Sequence, residues 1–266
     1  MDLIQDSYIS FVNLEHRSDR LEHMNSQLSR IGLEATRTRG LLPVECQDKK
    51  GIEVMMNRTP GAVGCHFSQV SIWHRALSLE KHAWVMEDDL IFCNDFMERV
   101  KYMSDFLQGV EWDVMWLGAT FHSPAFWHKV GQSGMPPDCS AQLGKDFDHT
   151  GDPRIKRTYG AFCTYAYVVN VKSIEKILDL FDQHLSTSIG IDWLFIKLQP
   201  QLKCYAFVPG SVKQMDGDSD QFPVGHPKRG KTIFSGFSKL NGTIENSRYW
   251  YQENMNDFNP NTFAWT

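Results

Sequence analysis

The sequence predicts an α/β fold in which a mostly parallel central sheet carries helices on both faces, and three observations predict it. Apolar runs of strand length alternate with amphipathic stretches of helical period along most of the chain. One such run, Trp84-Val85-Met86, ends in three consecutive carboxylates, Glu87, Asp88 and Asp89, before Leu90-Ile91-Phe92 resumes it. At 266 residues and 42% hydrophobic, the chain is long enough to bury a large core as one domain.

Residues 8–12 read as the first strand. Leu21, Met24, Leu28 and Ile31 then recur at steps of three and four, which places them on one helix face, with Asp19 as the expected N-cap. A loop punctuated by Gly40, Pro43, Gly51 and Pro60 leads to a second amphipathic helix, marked by Val63, Phe67, Val70 and Leu77 and running to about residue 79. That helix feeds the strand ending at Glu87. A short helix over 95–107 and a strand over 113–117, stopped by Gly118, follow. Residues 119–157, with Pro124, Pro136, Pro137 and Pro153, break periodicity and read as one long loop, of a length that is characteristically functional or mobile. Order resumes with a strand over 164–169, a helix over 171–185 carrying Ile174, Ile177, Leu178 and Phe181, a helix over 192–198 and a strand over 205–208. The remaining polar, aromatic-rich residues are expected to wrap the domain or cover a site.

A net charge of −5 and a pI near 6.0 give no general attraction to nucleic acid or anionic membrane. No apolar run approaches the roughly 18–20 residues of a membrane span. The start of the chain, with Asp2 and Asp6, lacks the basic and apolar regions of a signal peptide, so a cytoplasmic, soluble protein is the expectation. Cysteines 46, 65, 93, 139, 163 and 204 form no Cys-x-x-Cys pair and read as small buried hydrophobes. The sequons at Asn57 and Asn241 matter only where a glycosylation machinery meets the chain.

The acidic triplet carries the first chemical reading. In an open α/β sheet ligands lie beyond the carboxyl ends of the strands, where Glu87, Asp88 and Asp89 emerge. Adjacent acids repel unless a positive partner joins them, and a hard divalent cation bridging to phosphate oxygens is one such partner. The alternative is an acidic corner exposed to water. No Gly-x-Gly-x-x-Gly follows the first strand and no Gly-x-x-x-x-Gly-Lys-Ser/Thr occurs, so dinucleotide-binding and P-loop readings lack their phosphate cradle.

Four blocks stand in a familiar order: Tyr8-Ile9-Ser10-Phe11-Val12-Asn13-Leu14-Glu15-His16-Arg17-Ser18-Asp19-Arg20, then Gly61-Ala62-Val63-Gly64-Cys65-His66-Phe67-Ser68-Gln69, then Glu87-Asp88-Asp89, then Gln214-Met215-Asp216-Gly217-Asp218-Ser219-Asp220. In these blocks the chain resembles glycosyltransferase family 25, the lipopolysaccharide-type and collagen-type galactosyltransferases. It departs from the family pattern at Gln69, where relatives show His, at Thr38-Arg39-Gly40, and in the 119–157 loop. The resemblance implies a GT-A fold, a single Rossmann-like domain with a nucleotide-sugar-binding half over about 1–118 and an acceptor-binding half over about 158–266. It also implies a metal-dependent inverting transfer of a hexose, galactose by family default, from a UDP-sugar to a hydroxyl of a glycan or protein. A metal-dependent nucleotidyltransferase and a non-catalytic carbohydrate-binding protein of the same fold are the competing readings.

Under that resemblance Asp89 of the Asp-X-Asp-like triplet is the expected cation ligand, with Glu87 a second direct or water-mediated contact and Asp88 beside the nucleotide. Manganese (Mn2+) is favoured by the family; the residues alone also allow magnesium (Mg2+). Asn13, Arg17 and Arg20 follow the first strand, where Arg suits phosphate and Asn a uracil edge; the alternative is that the arginines pair with Glu15, Asp19 or Glu22 at a helix start. Gly64 and Ser68 open a helix at which backbone can approach an anion, or Gly64 serves tight packing. Asp192 is the expected general base, with a plain N-cap as its alternative. Asp218 and Asp220 are further candidates as base or as contacts to sugar hydroxyls, and His226 is a candidate to complete the metal shell. His66 and His74 read as core or surface residues, and Trp73, Trp84 and Trp193 as core or, if exposed, a sugar-stacking platform.

Overall fold

The computed structural model describes residues 1–121, 147–152, 154–158, 161–188, 190–207, 210–215 and 220. His226 and Asp218, most of the 119–157 loop and the C-terminal segment after Asp220 lie outside the described residues. In chain order the elements are β1 (Ser7–Asn13), α1 (Ser18–Ile31), β2 (Thr36–Arg39), α2 (Glu53–Arg58), α3 (Pro60–Ser78), β3 (His82–Met86), β4 (Leu90–Phe92) and α4 (Phe96–Gln108). They continue with β5 (Val114–Phe121), β6 (Phe147–His149), β7 (Ile155–Thr158), β8 (Ala161–Val169), α5 (Ile174–His184), α6 (Ile191–Leu198), β9 (Cys204–Phe207) and β10 (Val212–Gln214).

Eight strands form one sheet in the order β2-β1-β3-β8-β5-β9-β7-β6. The pairings of β1 with β2 and β3, and of β5 with β9, are parallel, whereas β8 and β7 pair antiparallel with both their neighbours. Six strands therefore share one direction, and the mostly parallel α/β expectation holds. The period-two alternation of strands sorts the core into two layers. Phe11, Trp84, Met86, Met115, Leu117 and Val168 face one layer with Met24 and Leu28 of α1 and Phe96, Val100 and Met103 of α4. Ala83, Val85, Trp116, Tyr167 and Val169 face the other, with Trp73 of α3, Phe181 of α5 and Phe195 of α6. Trp73, Trp84 and Trp116 are fully buried, so the first two are core, each worth roughly 3–5 kcal/mol against truncation to Ala.

Several boundaries differ from expectation for identifiable reasons. Helix α1 begins at Ser18, with Arg17 at the N-cap position and no side-chain cap, so Asp19 is no cap. It sits in the first turn, where its charge suits the helix dipole, and it accepts from Arg17 Nε at 2.9 Å and Nη2 at 2.7 Å. Gly118 does not stop β5, which runs on to Phe121. Its missing side chain instead lets β10 cross, because a Cβ there would stand 2.6 Å from both Val212 Cγ2 and the Val212 carbonyl oxygen. The 119–157 stretch also contributes two short strands, β6 and β7, at the sheet edge. Strand β2 escaped the sequence pattern because its Thr-Arg-Thr-Arg side chains carry no apolar alternation.

Candidate active site

The site forms at the carboxyl ends of β1 and β3, where both strands stop side by side and their next residues turn over the sheet edge. Met86 pairs with Phe11 as the last rung, so Glu87, Asp88 and Asp89 leave β3 next to Asn13. Asn13 is buried and its amide is fully engaged: Nδ2 donates to Asp88 Oδ2 at 2.6 Å and to the Arg17 carbonyl at 3.1 Å, while Oδ1 accepts from Arg37 Nε at 3.0 Å. As placed, it orders the corner and offers no free edge to a base. Arg20, one turn into α1, bridges Asp88 Oδ1 at 3.0 Å and Asp89 Oδ2 at 3.2 Å. Arg17 turns the other way, to Asp19 and to Asp220, which also lies 3.7 Å from His16. The helix-start alternative is thus half present: Arg17 takes Asp19, but Arg20 reaches the acidic triplet.

A two-stranded ribbon of β4 and β10 lies over the corner, in register Gln214 with Leu90. The Met215 amide donates to the Asp89 carbonyl at 2.6 Å, and Gln214 Nε2 donates to Glu87 Oε2 at 2.9 Å and Asp89 Oδ1 at 3.3 Å. Gln214 Oε1 is buried and meets no hydrogen-bond donor. The amide nitrogen is thus the end that faces the two carboxylates, and the paired carboxylate oxygens of Glu87 and Asp89 are a donor set that fits a hard cation with oxygen ligands. Among the described residues no three His, Cys, Asp or Glu side chains form a closed metal cage. Asp89 and Glu87 are the groups that could hold one in part, as a cation shared with phosphate oxygens requires.

Asp192 enters from the opposite side. It follows Ile191 in the first turn of α6 but caps nothing there, since the N-cap position is Gly190 and no side-chain cap exists. The plain N-cap alternative is therefore overturned. Its Oδ1 instead accepts from the Thr164 backbone N–H at 2.8 Å and from Thr164 Oγ1 at 2.7 Å, while Oδ2 carries no hydrogen bond among the described residues. Thr164 is turned toward α6 by an irregular stretch of β8. Between the rungs Gly118–Ala166 and Thr120–Phe162, β8 uses more residues than β5, and Cys163 takes a left-handed φ of 71°. A non-glycine residue in that conformation inside a strand stores on the order of 1–3 kcal/mol of strain, here placed directly beside the residue that holds Asp192.

Electrostatically the corner is short of positive charge. Burial pushes Glu87 well above the usual carboxylate range, and Asp89, Asp192 and Asp88 push it further, against a smaller opposing effect of Arg20. Burial also raises Asp89, with Arg20 opposing, and burial raises Asp192 against the Thr164 hydrogen bonds. Asp88 and Asp89 thus share the Arg20 guanidinium, and Glu87 stands among three other acids.

Gly64 and Ser68 serve the fold. A Cβ at Gly64 would overlap the Leu41 carbonyl, and Ser68 Oγ donates to the Gly64 carbonyl at 2.6 Å while accepting from the Leu41 amide at 2.8 Å. His66 is a core residue, stacked on Phe181 with ring centroids 5.8 Å apart, and burial lowers it to about 4; His74 is exposed. The pattern left Gln69, Thr164, Tyr167 and Gln214 without roles. Gln69 carried a signal, a polar residue within the buried stripe Val63, His66, Ile72, Trp73 and Ala76 of α3.

The family described as glycosyltransferase family 25 (LPS biosynthesis protein) matches residues 6–194. A glycosyltransferase 25 family member from Anopheles gambiae is 26% identical over 133 residues, which is 44% of this chain and 22% of that protein, so the matched stretch spans about a fifth of its relative. The crystal structure of mouse xyloside xylosyltransferase 1 in its apo form aligns with a TM-score of 0.38 at 13% identity, over 75% of this chain and 73% of that one, a likeness too slight to decide anything. No helix among the described residues is long and apolar enough to cross a membrane. With the family match spanning well over half its length, the chain belongs to glycosyltransferase family 25.

Proposed function

We propose that the protein is an inverting glycosyltransferase that moves a hexose, galactose by family default, from a UDP-sugar to a hydroxyl of a glycan or protein acceptor, with manganese, or failing that magnesium, as cofactor. The observation that supports this best is the crowding of Glu87, Asp88, Asp89 and Asp192 at one corner, where Arg20 pairs with Asp88 and Asp89 while Asp89, Asp192 and Asp88 all push the Glu87 carboxyl upward. Such a set is costly alone and is stabilised by a cation and the diphosphate that accompanies it. When bound, the cation supplies Lewis-acid stabilisation of charge on the departing diphosphate. Asp89 and Glu87 would hold it; Asn13 and Arg20 fix Asp88 and Asp89; Arg17 and Arg20 are the guanidiniums that would turn to phosphate oxygens, exchanging carboxylate partners for the diphosphate. Asp220, bonded to Arg17, belongs to this donor side.

Asp192 is the base. Its Oδ1 is held by Thr164, which leaves Oδ2 to take the proton of the acceptor hydroxyl. As that proton moves, the acceptor oxygen bonds to the anomeric carbon, the carbon–oxygen bond to phosphate breaks, and UDP leaves with the electron pair. The upward shift of Asp192, caused by burial, makes it a stronger base than a solvated carboxylate. The test is UDP release from a panel of UDP-sugars with manganese, in wild type and Asp192→Asn. Donor affinity should persist in the variant while turnover falls by roughly 10²- to 10⁴-fold. Near-normal turnover would remove Asp192 from the chemistry.

A further inference from the structure

We propose that Gln69 is a positioning residue of this site, its side-chain amide tying Glu87 on the donor side to the Thr164–Asp192 pair on the acceptor side. The proposal rests on the reading of Asp192 as the base. Gln69 is completely buried on α3, among groups that an apolar side chain of equal volume would leave unbonded. Tyr167, also fully buried, donates from Oη to Gln69 Oε1 at 2.7 Å. That bond fixes which end of the amide faces the acids. Nε2 then lies 3.3 Å from Glu87 Oε1, 3.2 Å from the Thr164 carbonyl and 3.4 Å from Thr164 Oγ1. An amide nitrogen carries two hydrogens, one for each direction. Thr164 passes the connection on, since its hydroxyl donates to Asp192 Oδ1 at 2.7 Å.

The result is a chain of oriented bonds from Tyr167 through Gln69 and Thr164 to Asp192, with a branch to Glu87. Two carboxylates are thereby held at a set separation by a neutral linker. A carboxylate at position 69 would add a fifth acid, and an apolar residue would free both arms. The bonds from Nε2 are long, so each adds little to stability; their effect is on where the carboxylates point. Misplacing a reacting group by about an ångström costs on the order of 10²-fold in rate.

The experiment is a double-mutant cycle of Gln69→Met and Thr164→Val, with UDP-galactose and manganese as the probe. UDP release, donor KM and thermal midpoint are measured for each variant, alongside Gln69→His, which keeps a single N–H donor. Each single variant should lower kcat by about 10- to 100-fold with KM changed little. The double variant should lose no more than the weaker single one, because both cut the same chain. Gln69→His should recover part of the loss. Additive losses, or kcat within twofold of wild type in Gln69→Met, would overturn the proposal, since a merely structural Gln lowers the thermal midpoint and leaves the kcat cycle additive. If Gln69→Met fails to fold, Thr164→Val and Gln69→His decide the matter through the same kcat readings. Asp192→Asn separates the two claims: full loss there with an additive cycle retires the relay alone, and full activity there retires the base and the relay together.

Discussion

Glu87 carries the sharpest residue-level consequence. Its carboxyl is raised by burial first and by Asp89, Asp192 and Asp88 next, so the folded state holds its proton more tightly than the unfolded chain does. Below the unfolded value of about 4.3 both states are protonated and nothing is lost; as pH rises from there toward the folded value, stability falls. Gln mimics the protonated acid. In metal-free protein, Glu87→Gln should therefore raise the thermal midpoint at pH 7.5, with the gain shrinking as pH is lowered and vanishing near pH 4. A gain independent of pH, read by calorimetric melting across that range, would contradict the electrostatic account. The triplet's position at a strand end was legible from residues 84–92 alone, because an apolar run meeting three acids is a local pattern. The commitments of Asn13 and Arg20 were not, since they depend on β1, α1 and β3 ending at one place, which only the sheet register sets.

At the scale of elements, α3 shows how a residue chosen for a ligand can instead serve packing. Gly64 lets the helix press against the Leu41 carbonyl, and Ser68 ties the same two segments. Gly64→Ala should destabilise by about 1–3 kcal/mol or more through overpacking, measured by urea unfolding, even though Ala is the better helix former. A stabilised variant would show that the 41–42 segment yields freely. Helices α1, α3 and α5 were readable from apolar periodicity and α4 and α6 as short helices, whereas α2 fell in a stretch read as a loop. Strands β2, β6, β7 and β10 were not, because short edge and ribbon strands carry neither a long apolar run nor an alternation. Thr164 and its strained neighbour Cys163 were invisible for a related reason. A bulge arises from unequal spacing on two paired strands, and neither strand records it alone.

For the whole molecule, the sheet brings together what the chain keeps far apart. Asn13, Gln69, Glu87, Thr164, Asp192 and Gln214 come from six elements or their ends and meet at one edge of the sheet, with helices closing both faces. The core supplies the stability, so the acidic corner is free to be electrostatically costly, as the cation and diphosphate site proposed above would be. The most direct test of that claim is calorimetric titration of UDP with manganese into wild type and Asp89→Ala. The account predicts manganese-dependent UDP binding in the wild type and its loss in the variant, with the thermal midpoint preserved. Unchanged UDP affinity in Asp89→Ala would contradict it.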